Sequence, residues 1–402
     1  MQYGHLIYNT FDELDVFATI MKQERFFQKE LSFKKRCRFH DLEPFHFNNP
    51  WTSALKGKKV LVTGHTGFKG TWLARILVVA GADVTGYSLP PPTEPNLFSH
   101  VGLESEIRHR VGDIRDFSAL KAAFDESCPE IVLHLAAQPI VREGYRMPRE
   151  TYEVNVMGTV NLLECVRLGS NVKSIVNVTT DKVYFNDERT DPFRENDVLD
   201  GYDPYSNSKS CSELVSGGYN RSFFSGMQIA LSTARAGNVI GGGDFGYDRI
   251  IPDCVRSVFT GQRIKVRNPY SVRPYQHVLE PLAMYLRIAE SQHGDMGMAG
   301  AYNIGPDGED SLSTGELVDL FCRKWGDGAQ WESCAEAGAP HEAGLLRLDN
   351  EKIKKVFGWR ARWTLEECMD RVCEFYRLWN SGGDIVAEMD YQIKEFFNDT
   401  QL

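Results

Sequence analysis

Three side chains near the middle of the sequence have the types and spacing needed to take a proton from an alcohol. Tyr205 and Lys209 are four residues apart, so they share one face of any helix that contains both. A phenol titrates at about 10 in water, and a neighbouring ammonium favours its ionised form, which is a base. Thr180 could share a hydrogen bond with the same substrate hydroxyl. Together they indicate oxidation of an alcohol to a ketone by hydride transfer. For the tyrosine and lysine alone, the alternative is a solvated helix face.

An acidic and a basic residue, Asp181 and Lys182, directly follow Thr180. The apolar run from Val172 to Val178 predicts a strand that ends just before them. Ligands of open α/β sheets bind at the carboxyl ends of the strands, so we expect an acid–base pair beside Tyr205. The alternative is an ion pair in a surface turn.

A dinucleotide site is predicted upstream, where a strand pattern leads into a helical pattern. The apolar run from Lys59 ends at Gly64, and the helical pattern begins at Phe68. In such a turn the first glycine permits the bend. Gly67 lets the backbone approach a pyrophosphate at the helix N-terminus, and Gly70 lets helix and strand pack closely. The alternative is an ordinary tight turn between strand and helix.

The strands that follow supply further cofactor candidates. The run from Asp83 to Tyr87 ends without the acidic residue that usually holds the adenosine ribose of NAD, so NAD and NADP both stay open. Asp113 follows a third strand, where it could bind an adenine amino group or serve as a helix cap or turn residue. A fourth strand opens into small residues, and His134 within it is predicted to be a core histidine. The candidate cofactor-binding residues are Gly64, Thr66, Gly67, Phe68, Lys69, Gly70, Ser88, Asp113, Ile114, Leu135, Ala136, Ala137, Gln138, Tyr205 and Lys209.

Cations for a substrate phosphate are expected in the second half of the chain. Arginine suits this role because its planar donors grip phosphate oxygens in pairs. The candidates are Asn238, Arg235, Arg249, Arg267 and Arg273. Arg267 could instead be a solvated strand residue. The glycine run 241–243 predicts a loop over the ligand.

Composition excludes several classes of protein. A net charge of −10 argues against nucleic acid and anionic membranes as partners. The nine cysteines are scattered without a C-x-x-C pair, so neither a disulfide framework nor a metal site is predicted. No window approaches the ~18 apolar residues of a membrane span, and acidic residues interrupt the N-terminus where a signal peptide would be apolar. A cytoplasmic location is expected.

The order of elements predicts an α/β fold, with a Rossmann-type parallel sheet, helices on both of its faces and a smaller C-terminal lobe. We expect a non-catalytic extension over 1–55, for which the alternatives are an oligomerisation arm or a segment that binds an acidic partner. A dinucleotide-binding domain over 56–235 should follow. A mainly substrate-binding lobe over 236–380 partly returns to the sheet, and 381–402 forms a tail without a motif. Helices are predicted over 151–168, 250–260, 314–325 and 359–379.

The ordered series of motifs resembles a known family. The glycine fingerprint, Gly112-Asp113, Leu135-Ala136-Ala137, Thr180 and the Tyr205/Lys209 pair are similar to the extended short-chain dehydrogenases/reductases, the NAD-dependent epimerases and dehydratases of nucleotide-sugars. The resemblance runs from about 58 to 363. It narrows to the dehydratases that act on CDP-glucose through the blocks 64–70, 86–93, 201–206, 234–244 and 273–278. At the catalytic turn, Thr180-Asp181-Lys182-Val183-Tyr184 stands where Ser-Asp-Lys-Cys-Tyr is expected, and a hydroxyl is kept.

This resemblance implies NAD as cofactor and CDP-glucose as substrate, hence a lyase that removes water. It also implies that the product feeds the deoxysugars of bacterial surface polysaccharide, such as the O-antigen of lipopolysaccharide. Members of the family generally form homodimers or larger assemblies through a helix pair that includes the Tyr/Lys helix. Leu214, Val215 and Tyr219 could belong to such an interface or equally to the core.

The resemblance also implies a role for each catalytic candidate. Tyr205 takes the proton of the C4 hydroxyl, while Lys209 favours the phenolate and holds the nicotinamide ribose. Asp181 is expected to protonate the departing C6 hydroxyl, and Lys182, if neutral, to remove the C5 proton, where related dehydratases carry a carboxylate. The rival functions are a nucleotide-sugar 4-epimerase, which needs no acid–base pair for water loss, and an inactive NAD-binding scaffold. Retention of Thr180 with the tyrosine and lysine speaks against the scaffold.

Overall fold

A parallel sheet of seven strands forms the centre of the computed structural model, which describes residues 54–306, 311–334 and 346–398. Almost all of the predicted N-terminal extension lies outside these residues. The strands in chain order are β1 (Lys59–Thr63), β2 (Asp83–Ser88), β3 (Arg108–Val111), β4 (Ile131–His134), β5 (Ser174–Val178), β6 (Ala230–Ala236), β7 (Asn238–Ile240), β8 (Ile264–Val266), β9 (Val272–His277), β10 (Ala301–Ile304), β11 (Ser311–Ser313) and β12 (Trp331–Ser333).

The order of the central sheet is β10-β6-β5-β4-β1-β2-β3, and every neighbouring pair is parallel. The strand order reverses between β1 and β4, which is where open α/β sheets bind their ligands. All residues of β4, β5 and β6 are buried, as expected for strands covered on both faces. The predicted Rossmann-type fold is therefore confirmed.

Helices cover both faces of this sheet. They are α1 (Phe68–Val79), α2 (Leu97–His100), α3 (Phe117–Ser127), α4 (Val141–Arg146), α5 (Pro148–Tyr152), α6 (Gly158–Leu168), α7 (Pro204–Tyr219), α8 (Ser225–Met227), α9 (Ile250–Phe259), α10 (Leu279–Gly294), α11 (Thr314–Trp325), α12 (Glu351–Phe357), α13 (Leu365–Asn380) and α14 (Ile385–Asn398). Helices α1 and α10 pack on one face, and α3 and α6 on the other, where Leu120, Val132 and Leu162 belong to one apolar core.

Helix α7, which carries Tyr205 and Lys209, has clear start signals in the sequence. Pro204 occupies the first turn, and the carboxylate of Asp203 accepts hydrogen bonds from the backbone N–H groups of Tyr205 at 2.9 Å and Ser206 at 3.1 Å. Proline loses no hydrogen bond there, and an aspartate cap satisfies donors that have no partner within the helix. These local signals therefore account for the start of the helix that carries Tyr205 and Lys209.

Most other helix predictions hold, with some differences at the boundaries. The predicted helix over 151–168 begins earlier, at Pro148, and one wide turn at Glu153–Met157 separates α5 from α6. Helices α9 and α11 match their predictions closely. The predicted helical region 359–379 is helical only from Leu365, and α12 and α14 were not predicted.

The second half of the chain adds two smaller sheets beside the carboxyl ends of the central strands. Their orders are β11-β9-β7 and β12-β8. Strand β10, also from this half, pairs with β6 at the edge of the central sheet. No helix of the described ranges has the length and apolar character needed to cross a membrane.

The last helix is tied to the first. Arg75 of α1 is buried, and its guanidinium donates to Asp390 of α14 at 2.7 and 2.6 Å. The same guanidinium donates to Glu106 at 2.8 and 2.9 Å. One buried arginine therefore joins α1 to both a near and a distant part of the chain.

Candidate active site

A cleft of about 990 Å³ lies at the carboxyl ends of the central strands. It collects almost all the residues that the sequence predicted for cofactor, catalysis and substrate. Those that line it are Gly64, Thr66, Gly67, Phe68, Lys69, Gly70, Ser88, Asp113, Ile114, Leu135, Ala136, Ala137, Thr180, Asp181, Lys182, Tyr205, Lys209, Asn238, Arg249, Arg267 and Arg273. Two predicted residues, Gln138 and Arg235, do not.

The glycine turn fits a dinucleotide because its shape excludes side chains. Gly64 has φ +76°, and a Cβ there would lie 2.7 Å from the backbone nitrogen of Ala136. A Cβ on Gly70 would lie 2.1 Å from the carbonyl oxygen of Gly64. At Gly67, by contrast, the nearest atom would be 3.5 Å away, which leaves the helix N-terminus open to the cleft. An anion can therefore approach the N–H groups of α1.

The adenosine side of the cleft is built from hydroxyl groups and one engaged carboxylate. The Thr66 hydroxyl lies 2.9 Å from that of Ser88 and donates to the carbonyl of Leu89 at 2.9 Å. Asp113 accepts from the backbone N–H of Arg115 at 2.9 Å and from its guanidinium at 2.6 Å. Asp113 is thus a turn residue that also lines the cleft.

Gln138, which follows β4, is held by hydrogen bonds to Asn155 and Thr151 and does not line the cleft. Its backbone N–H donates to the side chain of Asn155 at 2.9 Å, and its amide nitrogen donates to Thr151 at 2.8 Å. These bonds turn the side chain away from the cleft. His134 is confirmed as a core residue, since its ring nitrogens lie 2.7 Å from Thr63 Oγ1 and 3.2 Å from Thr159 Oγ1.

Tyr205 and Lys209 are both buried at the centre of the cleft. Burial raises the pKa of Tyr205 to about 12, against the effect of a hydrogen bond with Thr180 and of the charge of Arg249. Burial also lowers the pKa of Lys209 to about 8, and its Nζ donates to the carbonyl of Val178 at 3.1 Å. In the protein alone the phenol is therefore protonated at neutral pH. The expected preference for phenolate includes the positive charge of an oxidised nicotinamide beside Lys209, and it stays a prediction.

The acid–base pair lies next to these groups, and it is not a surface turn. The Asp181 side chain is 1% exposed and that of Lys182 is 23% exposed. Oδ1 of Asp181 accepts from Thr180 Oγ1 at 3.0 Å and from Lys182 Nζ at 3.2 Å, whereas Oδ2 is buried without a hydrogen-bond partner. Lys182 Nζ also donates to Asn238 Oδ1 at 3.4 Å. A buried carboxylate oxygen without a partner is costly, which is typical of groups kept for a ligand.

The predicted substrate cations divide into two groups. Arg249 pairs with Asp244 at 2.9 Å, and Arg267 pairs with Asp248 at 2.6 Å. Arg273 is buried and donates to the carbonyl of Val272 at 2.9 Å. All three line the cleft, as do both aspartates.

Arg235 was predicted to bind the substrate phosphate, but it does not line the cleft. Its guanidinium is buried and makes a two-point ion pair with Glu213 at 2.9 and 2.8 Å. It also donates to the phenol oxygen of Tyr184 at 2.8 Å. Because its donors are committed to these partners below the cleft, Arg235 is not available to a substrate phosphate.

Sequence reasoning missed some residues of the site. Tyr275 lines the cleft, and its hydroxyl lies 3.3 Å from that of Thr314, which also lines it. Tyr275 stands within the block 273–278 that carried the family resemblance, so a signal was present. Glu213 follows Lys209 by one helical turn, which was an available signal as well.

Lys69 was expected at the cofactor, and the structure places it between the two parts of the cleft. Its Nζ donates to the hydroxyl of Tyr285 at 3.0 Å. Burial, together with the positive charges of Lys209 and Arg249, lowers the pKa of Lys69 to about 7. Three cationic side chains therefore meet near Tyr205.

Comparison with known proteins gives one consistent result. A family model described as GDP-mannose 4,6 dehydratase matches residues 61–372. A CDP-glucose 4,6-dehydratase from Salmonella typhimurium is 45% identical over 351 residues, covering 86% of this chain and 98% of the relative. A UDP-glucose 4-epimerase from Halalkalibacterium halodurans is 28% identical, covering 77% of this chain and 92% of the relative. The solved structure of a dTDP-glucose 4,6-dehydratase from Streptomyces venezuelae with NAD bound has a TM-score of 0.69 and 25% identity, covering 81% of this chain and 99% of that one.

Proposed function

The chain belongs to the GDP-mannose 4,6-dehydratase family, and we propose that it converts CDP-glucose to CDP-4-keto-6-deoxyglucose. The observation that carries this proposal is the pair formed by buried Asp181 and partly exposed Lys182, in which Asp181 accepts a hydrogen bond from Thr180. Loss of water needs an acid and a base beside the group that oxidises the alcohol, whereas epimerisation at C4 does not. The 45% identity to a CDP-glucose 4,6-dehydratase, against 28% to an epimerase, supports the same choice.

NAD is the cofactor of the proposed reaction, and when bound it would supply the hydride chemistry at the sugar. The turn from Gly64 to Gly70 would hold its pyrophosphate, because Gly67 leaves room for an anion at the N-terminus of α1. Ser88 and Thr66 would face the adenosine ribose, and Asp113 the adenine. Lys209 would hold the nicotinamide ribose.

Tyr205 begins the reaction by accepting the proton of the C4 hydroxyl. The pKa of this phenol is raised to about 12 by burial, so added positive charge must lower it before it can act near neutral pH. The charge of Arg249 already acts in this direction, and we propose that Lys209, one turn later on α7, adds to it. Thr180 is hydrogen-bonded to the phenol of Tyr205, so its hydroxyl can take part in the same proton transfer.

Asp181 and Lys182 then carry out the loss of water. The C4 ketone makes the C5 proton acidic, and Lys182 in its neutral form removes it. Asp181 acts as the acid toward the departing C6 hydroxyl through Oδ2, the oxygen that has no hydrogen-bond partner among the described residues. Asn238 accepts from Lys182 and so keeps its nitrogen directed at the sugar end of the cleft.

The diphosphate of the substrate is assigned to Arg249, Arg267 and Arg273, which line the same part of the cleft. Charge-assisted hydrogen bonds from guanidinium groups are strong and directional toward phosphate oxygens. We also propose that segment 56–235 binds the cofactor and that segment 236–380 mainly binds the substrate.

A homodimer or larger assembly, formed through α7, is also part of the proposal. Leu214 on this helix is 59% exposed, which supports an interface there. Val215 and Tyr219 instead pack against the core between α7 and the sheet. We further propose a cytoplasmic reaction whose product enters the deoxysugars of surface polysaccharide.

The test is to incubate the purified protein with CDP-glucose, dTDP-glucose, GDP-mannose and UDP-glucose, each with and without NAD. Product is followed by the alkaline absorbance of a 4-keto-6-deoxy sugar and confirmed by mass. We expect water loss from CDP-glucose. Tyr205→Phe keeps the ring but removes the base, and should lower the rate by about 10²–10⁴-fold.

A matched variant separates dehydration from oxidation. Lys182→Met keeps the length of the side chain but cannot take a proton, so we expect it to block water loss while exchange of hydride at C4 continues. If a C4 epimer appears and no nucleotide-sugar loses water, the dehydratase proposal is wrong.

A further inference from the structure

A buried carboxylate on the catalytic helix lies directly beneath the catalytic groups. Glu213 of α7 is 5% exposed. Its Oε1 accepts from the hydroxyl of Thr179 at 2.5 Å and from Nε of Arg235 at 2.9 Å, and its Oε2 accepts from Nη2 of Arg235 at 2.8 Å. Three elements, α7, the end of β5 and β6, therefore meet at one side chain.

The position of Thr179 makes this contact relevant to the reaction. Thr179 stands between Val178, whose carbonyl accepts from Lys209, and Thr180, which is hydrogen-bonded to Tyr205. Its backbone N–H is fixed to β6 through the carbonyl of Ala234 at 2.9 Å. Glu213 thus holds the strand end in register with the helix that carries both catalytic side chains.

Glu213 also supplies negative charge close to Lys209. Burial lowers the pKa of Lys209 to about 8, and the charge of Glu213 is the opposing influence. The other groups that face this ammonium are Lys69 from α1 and His134 from β4. Asp181 and Arg235 lie on the neighbouring strand ends, and Tyr205 lies one turn earlier on α7. Glu213 lies one turn after Lys209 on α7, and it is the negative charge that acts on Lys209.

We propose that Glu213 is a positioning residue for proton transfer at Tyr205, because it fixes the β5 end through Thr179 and keeps Lys209 charged. Arg235, which the sequence suggested for the substrate, is its partner in this clamp. The inference rests on the proposed function, since it concerns the first proton transfer of that reaction. The same transfer begins C4 epimerisation, so the clamp would serve either reaction.

The test compares variants that remove the charge or the hydrogen bond. Glu213→Gln alone leaves a buried guanidinium without its counter-charge, which often costs several kcal/mol and endangers folding. The double variant Glu213→Gln with Arg235→Gln removes both charges together. Thr179→Val removes the hydrogen bond to the strand end and keeps the carboxylate.

We expect different effects on the pH profile of kcat. In the double variant the negative charge that raises the pKa of Lys209 is missing, so this pKa falls and the alkaline limb moves to lower pH. As a result, kcat at pH 8 should fall about tenfold or more. In Thr179→Val, kcat falls but both limbs keep their positions. KM for CDP-glucose and NAD should stay within about threefold in the double variant, because neither Glu213 nor Arg235 lines the cleft. Thr179 does line the cleft, so for Thr179→Val the deciding measurement is the position of the two limbs.

A control for a purely structural effect is Glu106→Gln, which weakens another buried arginine pair far from Tyr205. It should lower Tm without moving either limb of the profile. If the double variant has the wild-type profile, or loses only Tm as Glu106→Gln does, the inference is wrong.

Failure of the proposed function is distinguishable from failure of this inference. A wild-type chain that epimerises instead of dehydrating contradicts the proposed function alone, and the same profiles are then measured on epimerisation. A wild-type chain that turns over none of the nucleotide-sugars contradicts both.

Discussion

The two ends of the cleft, which we propose to bind the cofactor and the substrate diphosphate, differ in the groups that they offer to an anion. At the cofactor end, the turn from Gly64 to Gly70 presents backbone N–H groups, and its shape leaves no room for a Cβ at either glycine. At the proposed substrate end, Arg249 and Arg267 present side-chain charges that are already paired with Asp244 and Asp248. Anion binding at the first end should depend on steric fit. At the second end it should depend on whether phosphate or aspartate pairs with the arginines. Mutations should therefore act on the first in an all-or-none manner and on the second by degrees.

The largest effect is expected from Gly70→Ala at the cofactor end. The added Cβ would lie 2.1 Å from the carbonyl oxygen of Gly64 and 2.7 Å from Cα of His65, both backbone atoms that cannot move independently. Overpacking of this kind typically costs about 1–3 kcal/mol, and here it displaces the pyrophosphate turn as well. We expect loss of measurable NAD binding by calorimetry together with a lower Tm.

Gly294→Ala is the matched control for this change. A Cβ at Gly294 meets no atom within 4 Å, and the residue lies in helix α10. Alanine in a helix is favoured over glycine by about 0.5–1 kcal/mol, so stability should stay the same or rise and NAD binding should not change. Equal NAD binding by Gly70→Ala and the wild type would contradict the steric account of the cofactor end.

At the substrate end, Arg267→Gln should weaken substrate binding without affecting NAD. A charged hydrogen bond contributes about 1.5–3 kcal/mol, so KM for CDP-glucose should rise about 10- to 100-fold with kcat changed little. Steady-state kinetics and NAD titration measure the two quantities separately. A larger loss in kcat than in KM would show that Arg267 serves the chemistry instead of binding.

Asp248→Asn should act in the opposite direction and more weakly. Asp248 has φ +58°, a left-handed conformation that asparagine tolerates well. The change removes the carboxylate that competes with phosphate for Arg267. Because partly exposed ion pairs are worth about 0.2–1 kcal/mol, KM should fall by a few-fold at most. An increase in KM would mean that Asp248 orients Arg267 and does not compete for it.

The last prediction concerns the pH dependence of stability, through the buried lysines Lys69 and Lys209. Burial lowers the pKa of Lys69 to about 7 and that of Lys209 to about 8, against about 10.4 in an unfolded chain. Between pH 8 and 10 the unfolded chain binds more protons, so these groups make the free energy of unfolding rise with pH. Below pH 7 both are charged in both states and their contribution is constant. Above pH 10 the raised pKa of Tyr205, about 12, acts in the opposite sense.

Urea denaturation of the NAD-free protein at pH 7, 8 and 9 measures this slope. Lys209→Met removes one of the two groups and should flatten it. An unchanged slope in that variant would show that Lys209 does not change its charge on unfolding in this range.

The parts of the site that the sequence predicted correctly depend on short stretches of chain. The turn at Gly64 and the start of α7 at Asp203 and Pro204 are set by residues within one or two turns of one another. Arg235 was misassigned because its role depends on Glu213, which lies 22 residues earlier on another element. A phosphate-binding arginine and a buried structural arginine look alike until the partner is known.

The structure differs from the sequence prediction at two further points, helix α14 and the pKa of Tyr205. Helix α14 was missed although Met389, Ile393 and Phe396 follow a helical period and are all buried. The tail was judged by its lack of motifs instead of by this pattern. The raised pKa of Tyr205 could not be predicted either, because burial depends on how the two halves of the chain close over the tyrosine.

The link between Arg75 and Asp390 has a consequence for how the chain matures on the ribosome. Synthesis proceeds from the N-terminus, so α1 emerges long before Asp390, which lies 315 residues further along. Until then the pair between Arg75 and Glu106 can form, but the pair between Arg75 and Asp390 cannot. The nascent chain can therefore form the glycine turn early, yet the link between α1 and α14 closes only after α14 has left the exit tunnel.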